Sequence, residues 1–444
     1  MCHPTKQFQE CLKAGILWLL AVAGLVTAWT NASQSAGKDF YQFWVFGQSA
    51  NRPGINIYAN ETWDRLGGEF LEKAKQSANP RLLTVAQYRQ SLQAYSSPFL
   101  YALFRSFSTG NYDVDLRNYR LLMLGSLIFG TMVLCRLLNY SWVVAPGLIA
   151  VLSIWFDPLT SDLFVGNINC LQFAALAAYL WIVTRMPWRH RDFAGGVLLS
   201  AIVAFKPNLV FVAGVLVFHW LLNGRFRCLL LHAAGAVVGG AGVVLFSAMS
   251  FHSLRCWGEW LSALHSLPAN VILASYGNAS PLEIFCESFH LNVAIPLAVI
   301  LIGLSIVILS SWRHNASGEG NTASAAELSD VFAVSLGCLL VIIAARLAWF
   351  HYYVLAIPAF LFVLQSTPKA FGASSARLVW SRLLAIVAFA CLTPLSSLAT
   401  PLFADPQAVL AASAALLLFL SLAIFPAAPK PATQMPNSFA QPSS

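Results

Sequence analysis

Long apolar runs recur along most of this chain of 444 residues. The first, residues 12 to about 30, is long enough to cross the hydrocarbon core of a bilayer, and Lys6 and Lys13 flank its leading side. Backbone polar groups have no water to bind inside a bilayer, so helices are the expected form of such runs. The sequence therefore predicts an all-α polytopic membrane protein. The further runs lie at about 118–138, 142–156, 168–184, 193–222, 228–250, 290–311, 331–346, 350–366, 383–401 and 407–426.

Composition supports this class and excludes others. Hydrophobic residues make up 58% of the chain and charged residues 10%, whereas about 25% of residues are charged in soluble globular proteins. The net charge of +8 comes from short basic clusters between apolar runs, which are typical of topology signals, so we expect no nucleic-acid partner. The nine cysteines include no Cys-x-x-Cys pair, and only Cys256 and Cys286 share a loop in which they could pair.

The run at 193–222 decides the topology. As a helix it would span about 45 Å, too long for one upright crossing, yet Lys206-Pro207 would divide it into halves too short for two full crossings. If the run is a hairpin, Arg255 and Arg346 are the only basic residues of the later loops that fall outside, in agreement with the positive-inside rule. A single span would exchange the two sides for these later loops. The basic residues on the cytoplasmic side of the hairpin topology are Arg225, Arg227, Arg313, Lys369, Arg377, Arg382 and Lys430.

We therefore predict about 12 membrane segments with both chain termini in the cytoplasm, and two short helices meeting at Lys206-Pro207 in a protein-lined cavity. Residues 1–11 form a cytoplasmic N-terminus and residues 12–427 a transmembrane domain. Residues 31–116 form a long first extracytoplasmic loop, a subdomain lying on the membrane surface with an amphipathic helix near 61–75. Residues 428–444 form a disordered cytoplasmic tail. The alternative for the first run is a cleaved signal peptide.

The predicted topology brings most polar residues of the apolar part of the chain to the outer face. A cavity lined by carboxylates, amides, a lysine, an arginine and a histidine suits a substrate that carries an anionic group and many hydroxyls, such as a lipid-linked phosphosugar. The residues on this face are Asp39, Asp157, Asp162, Asn167, Asn169, Lys206, Asn278, Arg346 and His351.

Several short motifs in order along the chain resemble glycosyltransferase family 87. They are Asp39-Phe40-Tyr41, Ile57-Tyr58, Ser97-Pro98-Phe99, Gly166-Asn167-Ile168-Asn169, Phe205-Lys206-Pro207 and Trp349-Phe350-His351-Tyr352. The resemblance covers residues 15 to 365. It implies a C-type glycosyltransferase fold and a polyprenol-phosphate-mannose-dependent α-mannosyltransferase. The chain departs from the pattern in three places: Asn167 replaces a Gln, Phe99 replaces a Pro, and Tyr352 stands where a second His is common.

Asp39 is the candidate catalytic base, because a carboxylate within hydrogen-bond reach of a sugar hydroxyl can accept its proton. The resemblance gives the Asp after the first span this role. The alternative is that Asp39 caps a helix. Lys206 would bind the donor phosphate, since an ammonium group in an apolar run needs an anionic partner; the alternative is a structural ion pair with Asp157 or Asp162.

The other candidate residues are expected to bind donor or acceptor. His351 and Arg346 would hold the leaving phosphate or orient the acceptor. Asn167 and Asn169 would bind sugar hydroxyls, unless they cap the helix that begins near residue 168. Tyr41 and Asn278 complete the candidate set. We expect no metal and no cofactor, because Asp113 and Asp115 resemble a solvated helix start rather than a metal motif.

These residues predict a membrane glycosyltransferase that moves a hexose, with mannose the expected sugar, from a polyprenyl phosphate to a lipid or glycan acceptor. The active site would face the extracytoplasmic side of the cytoplasmic (inner) membrane. The alternative is a polytopic transporter or flippase for a lipid or sugar, although such proteins commonly contain repeated halves, and their ionisable residues line a path open to both sides.

Overall fold

A computed structural model describes residues 4–52, 54–265, 272–273, 277–316, 323–365, 375–395 and 405–425, so the predicted tail at 428–444 lies outside the described residues. Within these residues the fold is helical, and 3-10 helices lie at Pro207–Leu209 and Phe350–Ala356. The α-helices are α1 (Pro4–Ser33), α2 (Lys38–Ser49), α3 (Asn60–Gln76), α4 (Pro80–Tyr88), α5 (Pro98–Phe107), α6 (Tyr112–Leu137), α7 (Val144–Trp155), α8 (Asp157–Val165), α9 (Asn169–Arg185), α10 (Arg191–Phe205), α11 (Val210–Leu222), α12 (Phe226–Phe251), α13 (Arg255–His265), α14 (Pro281–Ser288), α15 (Ala294–Ala316), α16 (Ala323–Ile343), α17 (Ile357–Leu364), α18 (Ser375–Ala390) and α19 (Pro406–Ile424).

The predicted apolar runs fall on these helices, but the predicted number of spans is not confirmed. Among the described residues, 5 helices are long and apolar enough to cross a membrane, or 6 if α7 and α8, bent by 68°, count as one broken span. Several other runs form shorter helices, such as α11 with 13 residues and α17 with 8. The long helices are Gln9–Ser33, Tyr112–Leu137, Phe226–Phe251, Ala294–Trp312 and Pro406–Ile424.

The outer surfaces of α12 and α15 carry large apolar side chains. Val237, Met249 and Ile295 are largely exposed, as are many neighbours on the same helices. Lipid tails accept such side chains without the penalty that water would impose. The surface is therefore that of a membrane protein.

Glycines pack α10 tightly against α12 and set the direction of both. A Cβ at Gly196 would lie 2.1 Å from the His232 carbonyl oxygen, and one at Gly239 would lie 2.6 Å from that of Val197. Later residues of α10 thus meet later residues of α12, so the two helices run parallel. The chain between α10 and α12 must therefore run back to the end of the bundle where α10 begins, which agrees with the hairpin predicted at Lys206.

The region between α1 and α6 is mostly helical. The amphipathic helix predicted near 61–75 is α3 (Asn60–Gln76), but its apolar face packs inside the protein rather than on a membrane surface. Trp63 stacks edge-on against Tyr95, and Phe70 packs against Trp44 of α2. This subdomain therefore forms a packed layer over one end of the helix bundle, and α2 lies within it.

Candidate functional site

Asp39 lies in the first turn of α2, and its side chain does not cap that helix. The N-cap is Gly37, with φ of 70° and no side-chain cap bond; a Cβ there would lie 2.8 Å from Leu116 Cδ1. Asp39 Oδ2 accepts a hydrogen bond from Asn167 Nδ2 at 2.7 Å, and Oδ1 accepts one from Arg89 Nη2 at 3.2 Å. The carboxylate is therefore turned toward the α8–α9 turn.

A tight turn between α8 and α9 presents the two asparagines. Gly166 ends α8 with φ of 70°, and a Cβ there would lie 2.7 Å from Phe40 Cβ, so a side chain is excluded on both counts. The N-cap of α9 is Ile168, without a side-chain cap bond. Asn169 Nδ2 instead donates to Asp162 Oδ1 at 2.6 Å, which leaves the Asn169 oxygen directed toward Lys206. Helix capping thus does not account for either asparagine.

Lys206 occupies the break between α10 and the 3-10 helix at Pro207. Its Nζ lies 3.3 Å from Asn169 Oδ1 and 3.5 Å from Asn167 Oδ1. It also lies 3.5 Å from the centre of the Tyr352 ring, a cation–π contact. No carboxylate of the described chain forms a salt bridge with it within 4.0 Å, so the ion pair with Asp157 or Asp162 is not formed. Two amides and an aromatic face hold this nitrogen.

His351 reaches the same place from the 3-10 helix Phe350–Ala356. Its side chain is buried, with Nε2 at 3.8 Å from Asp39 Oδ2 and no hydrogen-bond partner among the described residues. The ring also contacts Tyr352 edge-on at 5.2 Å. The structure thus brings together Asp39, Asn167, Asn169, Lys206 and His351, which we call the Asp39 cluster.

Two predicted residues have other partners in the structure. Asn278 uses its amide on backbone groups: Nδ2 donates to the Arg346 carbonyl at 2.7 Å, and Oδ1 accepts from Ala348 N at 2.9 Å. The Arg346 side chain is 56% exposed and pairs with Glu283 at 2.5 Å. These contacts brace the backbone that leads to His351, and they give no support to direct phosphate binding by Arg346.

Tyr41 points away from the Asp39 cluster, as expected for a residue two positions from Asp39 on a helix. It packs against Trp44 and Tyr112, and its hydroxyl is buried without a hydrogen-bond partner in the described chain. Burial raises the pKa of the Tyr41 phenol well above its ordinary value, so the hydroxyl keeps its proton. Its role in substrate binding stays a prediction.

Two arginines at the site were missed in the sequence. Arg89, at the end of α4, lies in a polar stretch and gives no sequence signal. Arg120 is buried in α6, where Nη2 donates to the Ser35 carbonyl at 3.1 Å and Nε to the Leu163 carbonyl at 3.3 Å. Its position inside an apolar run could have identified Arg120 as a candidate, since a buried charge in such a run requires a partner or a function. Arg120 ties the chain before α2 to α8.

An apolar cavity of about 400 Å³ adjoins the Asp39 cluster. Phe40 and Phe205, which line it, are the chain neighbours of Asp39 and Lys206, and a third lining residue, Tyr119, donates to the Asn167 carbonyl at 2.5 Å. An ionic site therefore stands beside an apolar one. The lining residues are Phe40, Trp44, Leu103, Phe104, Phe107, Ser108, Asp115, Asn118, Tyr119, Leu122, Leu171 and Phe205.

The structure corrects one interpretation from the sequence and answers one question that the sequence left open. Asp115 is not a solvated helix residue: it is buried and accepts hydrogen bonds from Trp44 Nε1 at 2.8 Å and Thr109 Oγ1 at 2.7 Å. Cys256 and Cys286 do not pair; both are buried free thiols, in α13 and α14.

One group of metal-type ligands occurs in the described part of the chain, and it lies away from Asp39. It comprises Asp192, Cys228 and His232, near the starts of α10 and α12. His232 Nδ1 lies 2.9 Å from the Cys228 carbonyl oxygen, and Nε2 lies 3.3 Å from the Tyr179 hydroxyl. Both ring nitrogens thus have protein partners.

Fold and site together define a helical membrane protein with an ionic, partly buried cluster beside an apolar cavity. The family profile of glycosyltransferase family 87 matches residues 95–343, more than half of the chain. The chain belongs to glycosyltransferase family 87, and the protein is a membrane glycosyltransferase. The matched segment contains Asn167, Asn169 and Lys206, whereas Asp39 and His351 lie outside it. No curated protein and no solved structure matches the chain.

Proposed function

We propose that the protein transfers a hexose, with mannose the expected sugar, from a polyprenyl phosphate to a hydroxyl of a lipid or glycan acceptor. One observation carries this proposal: Lys206 has amide and aromatic contacts but no carboxylate oxygen within 4.0 Å in the described chain, and its chain neighbour Phe205 lines an apolar cavity. A phosphate would supply the anion for Lys206, and a prenyl chain would fill the cavity. Family membership makes the transporter alternative unnecessary.

The Asp39 cluster supplies the groups that an inverting transfer needs. The acceptor oxygen forms a bond to the anomeric carbon of the sugar while the bond from that carbon to the phosphate oxygen breaks. Asp39 takes the acceptor proton, and the electron pair of the broken bond leaves with the phosphate. Lys206 stabilises the departing anion. His351, whose Nε2 has no hydrogen-bond partner among the described residues, donates to that anion or to the sugar. Asn167 and Asn169 orient these groups.

Charge and contacts support an extracytoplasmic active site. Lys206 directly follows the last residue of α10. Because α12 runs parallel to α10, its last residues lie at the same end of the bundle as Lys206. The subdomain between α1 and α6 packs at this end, since Arg105 of α5 donates to the Ser250 carbonyl of α12. The positive-inside rule favours an extracytoplasmic position for that end. We propose the cytoplasmic membrane as the location, with residues 31–116 outside and the transferase domain at 12–427.

A donor panel tests this proposal. Membranes holding the wild type are incubated with radiolabelled polyprenyl-phosphate sugars, and the labelled product is identified. We expect one donor, polyprenyl-phosphate mannose, to give product with the wild type, and Asp39→Asn to lower transfer by about 10³- to 10⁴-fold. Asp113→Asn is the matched control, since Asp113 is a half-exposed carboxylate that binds Asn79 and Arg81. Wild-type transfer by Asp39→Asn, or no product from any donor, would contradict the proposal.

A further inference from the structure

Resting on the proposed function, we propose that Arg89 is a positioning residue that fixes the Asp39 carboxylate for proton transfer. Its Nη2 donates to Asp39 Oδ1 at 3.2 Å, and the Arg89 and Asp39 side chains are 22% and 17% exposed. The Arg89 Nε is buried and has no hydrogen-bond partner in the described chain. Arg89 thus donates to the candidate base through Nη2.

The backbone that carries Arg89 is held at several points. The Gln90 carbonyl lies against Gly67 of α3, where a Cβ would be only 1.8 Å from that oxygen. Gln93 N donates to Gln42 Oε1 at 3.0 Å, and Gln42 lies one helical turn after Asp39 on α2. The chain after α4 is therefore tied to the helix that bears Asp39, and Arg89 is fixed relative to it.

Two hydrogen-bond donors from different parts of the fold bind the Asp39 carboxylate. Arg89 holds Oδ1 from the subdomain, and Asn167 holds Oδ2 from the α8–α9 turn at 2.7 Å. A carboxylate bound through both oxygens cannot rotate freely, and a general base must be held in one geometry relative to the hydroxyl that it deprotonates. Loss of Arg89 would leave Oδ1 without this donor and allow the plane of the carboxylate to turn.

A second Arg–Asp pair, at the other end of α4, provides a matched control. Arg81, in the first turn of α4, lies 3.4 Å from Asp113, and these side chains are 40% and 46% exposed. The Arg81–Asp113 pair consists of the same residue types as the Arg89–Asp39 pair, and its arginine also lies at an end of α4. The two pairs differ in burial and in their position relative to Lys206. If these ion pairs contributed only to structure, both variants would lower stability without lowering kcat.

The test compares Arg89→Gln, Arg89→Lys, Arg89→Ala and Arg81→Gln in proteoliposomes with polyprenyl-phosphate mannose. We expect Arg89→Gln to lower kcat by about 100-fold with the donor KM nearly unchanged, because misplacement of a catalytic group acts on the reaction step. Arg89→Lys should recover part of the loss, and methylguanidinium should restore part of the rate of Arg89→Ala. Arg81→Gln should keep wild-type kinetics, with thermal unfolding midpoints of all folded variants close together.

The failure of this inference is distinct from failure of the proposed function. Wild-type kcat in Arg89→Gln, while Asp39→Asn is inactive, would overturn the role of Arg89 alone. A raised KM with unchanged kcat would also overturn it, since Arg89 would then bind substrate rather than position the base. If Arg89→Gln fails to fold, the Arg89→Lys kinetics decide, and a wild-type kcat there without any rescue of Arg89→Ala would contradict the inference.

Discussion

Two buried polar clusters lie at opposite ends of the hairpin formed by α10 and α11, and they differ in how their hydrogen bonds are used. The Asp39 cluster surrounds Lys206 at the turn. The other, which we call the Asp330 cluster, joins His219 near the end of α11, Arg225 at the start of α12 and Asp330 of α16. Asp330 Oδ1 lies 2.8 Å from Arg225 Nη1 and 3.1 Å from His219 Nε2.

The Asp330 cluster is saturated by its own chain. Asp330 is only 4% exposed, and no side-chain nitrogen or oxygen of its three members is buried without a partner among the described residues. In the Asp39 cluster, His351 Nε2 and the adjacent Arg89 Nε are buried without hydrogen-bond partners in the described chain, and no described carboxylate oxygen lies within 4.0 Å of Lys206 Nζ. Burial alone does not distinguish the two clusters; unused hydrogen-bonding capacity does. The saturated cluster stabilises helix packing, whereas the unsaturated one can bind a ligand.

After replacement of Asp39, replacement of Lys206 has the largest expected effect among the tests of the contrast between the two clusters. We expect Lys206→Met to lower transfer by about 10²- to 10³-fold, because a cation that stabilises the leaving phosphate is lost. Stability should change little, since the apolar side chain fits a partly buried place. Transfer rate and thermal unfolding are measured together. Lys73→Met is the control, because Lys73 also lies over an aromatic ring, that of Phe70, in α3. A wild-type transfer rate in Lys206→Met would break the contrast.

Replacement of Asp330 should have the opposite signature. We expect Asp330→Asn to lower the free energy of unfolding by about 3 kcal/mol, since it leaves Arg225 without its buried partner. The rate of transfer per folded molecule should stay at the wild-type value. Denaturation in detergent and transfer by the folded fraction are the measurements. A large loss of turnover without loss of stability would show that the Asp330 cluster acts in catalysis.

The smallest expected effect concerns Asn278. We expect Asn278→Ala to cost about 2 kcal/mol of stability, because backbone groups at Arg346 and Ala348 lose their buried partners. Transfer should fall modestly through a displaced His351. Asn60→Ala, at an exposed position, is the control. If Asn278→Ala raises the donor KM without any loss of stability, Asn278 binds the donor as first predicted.

The sequence predicts the helices and the convergence of the site, because both follow from chain-wide patterns. Apolar runs mark helices, and the balance of basic residues places Asp39, Asn167, Lys206 and His351 at the same end. Which polar side chains are satisfied depends on contacts distant in sequence, which no local pattern encodes. Arg89 was therefore missed, and the pairing of Arg346 with Glu283 was not foreseen. The number of full-length spans was also not recoverable, because apolar runs do not reveal where a helix bends.

The most direct test compares Asp39→Asn with Asp330→Asn in the same proteoliposomes, as transfer of label per folded molecule from the donor identified by the panel. Both changes replace a carboxylate by an isosteric amide, one in each cluster. We predict at least about a 10³-fold loss of transfer in Asp39→Asn, with wild-type stability, and wild-type transfer by folded Asp330→Asn. Wild-type transfer by Asp39→Asn would contradict the assignment of the Asp39 cluster as the site of transfer.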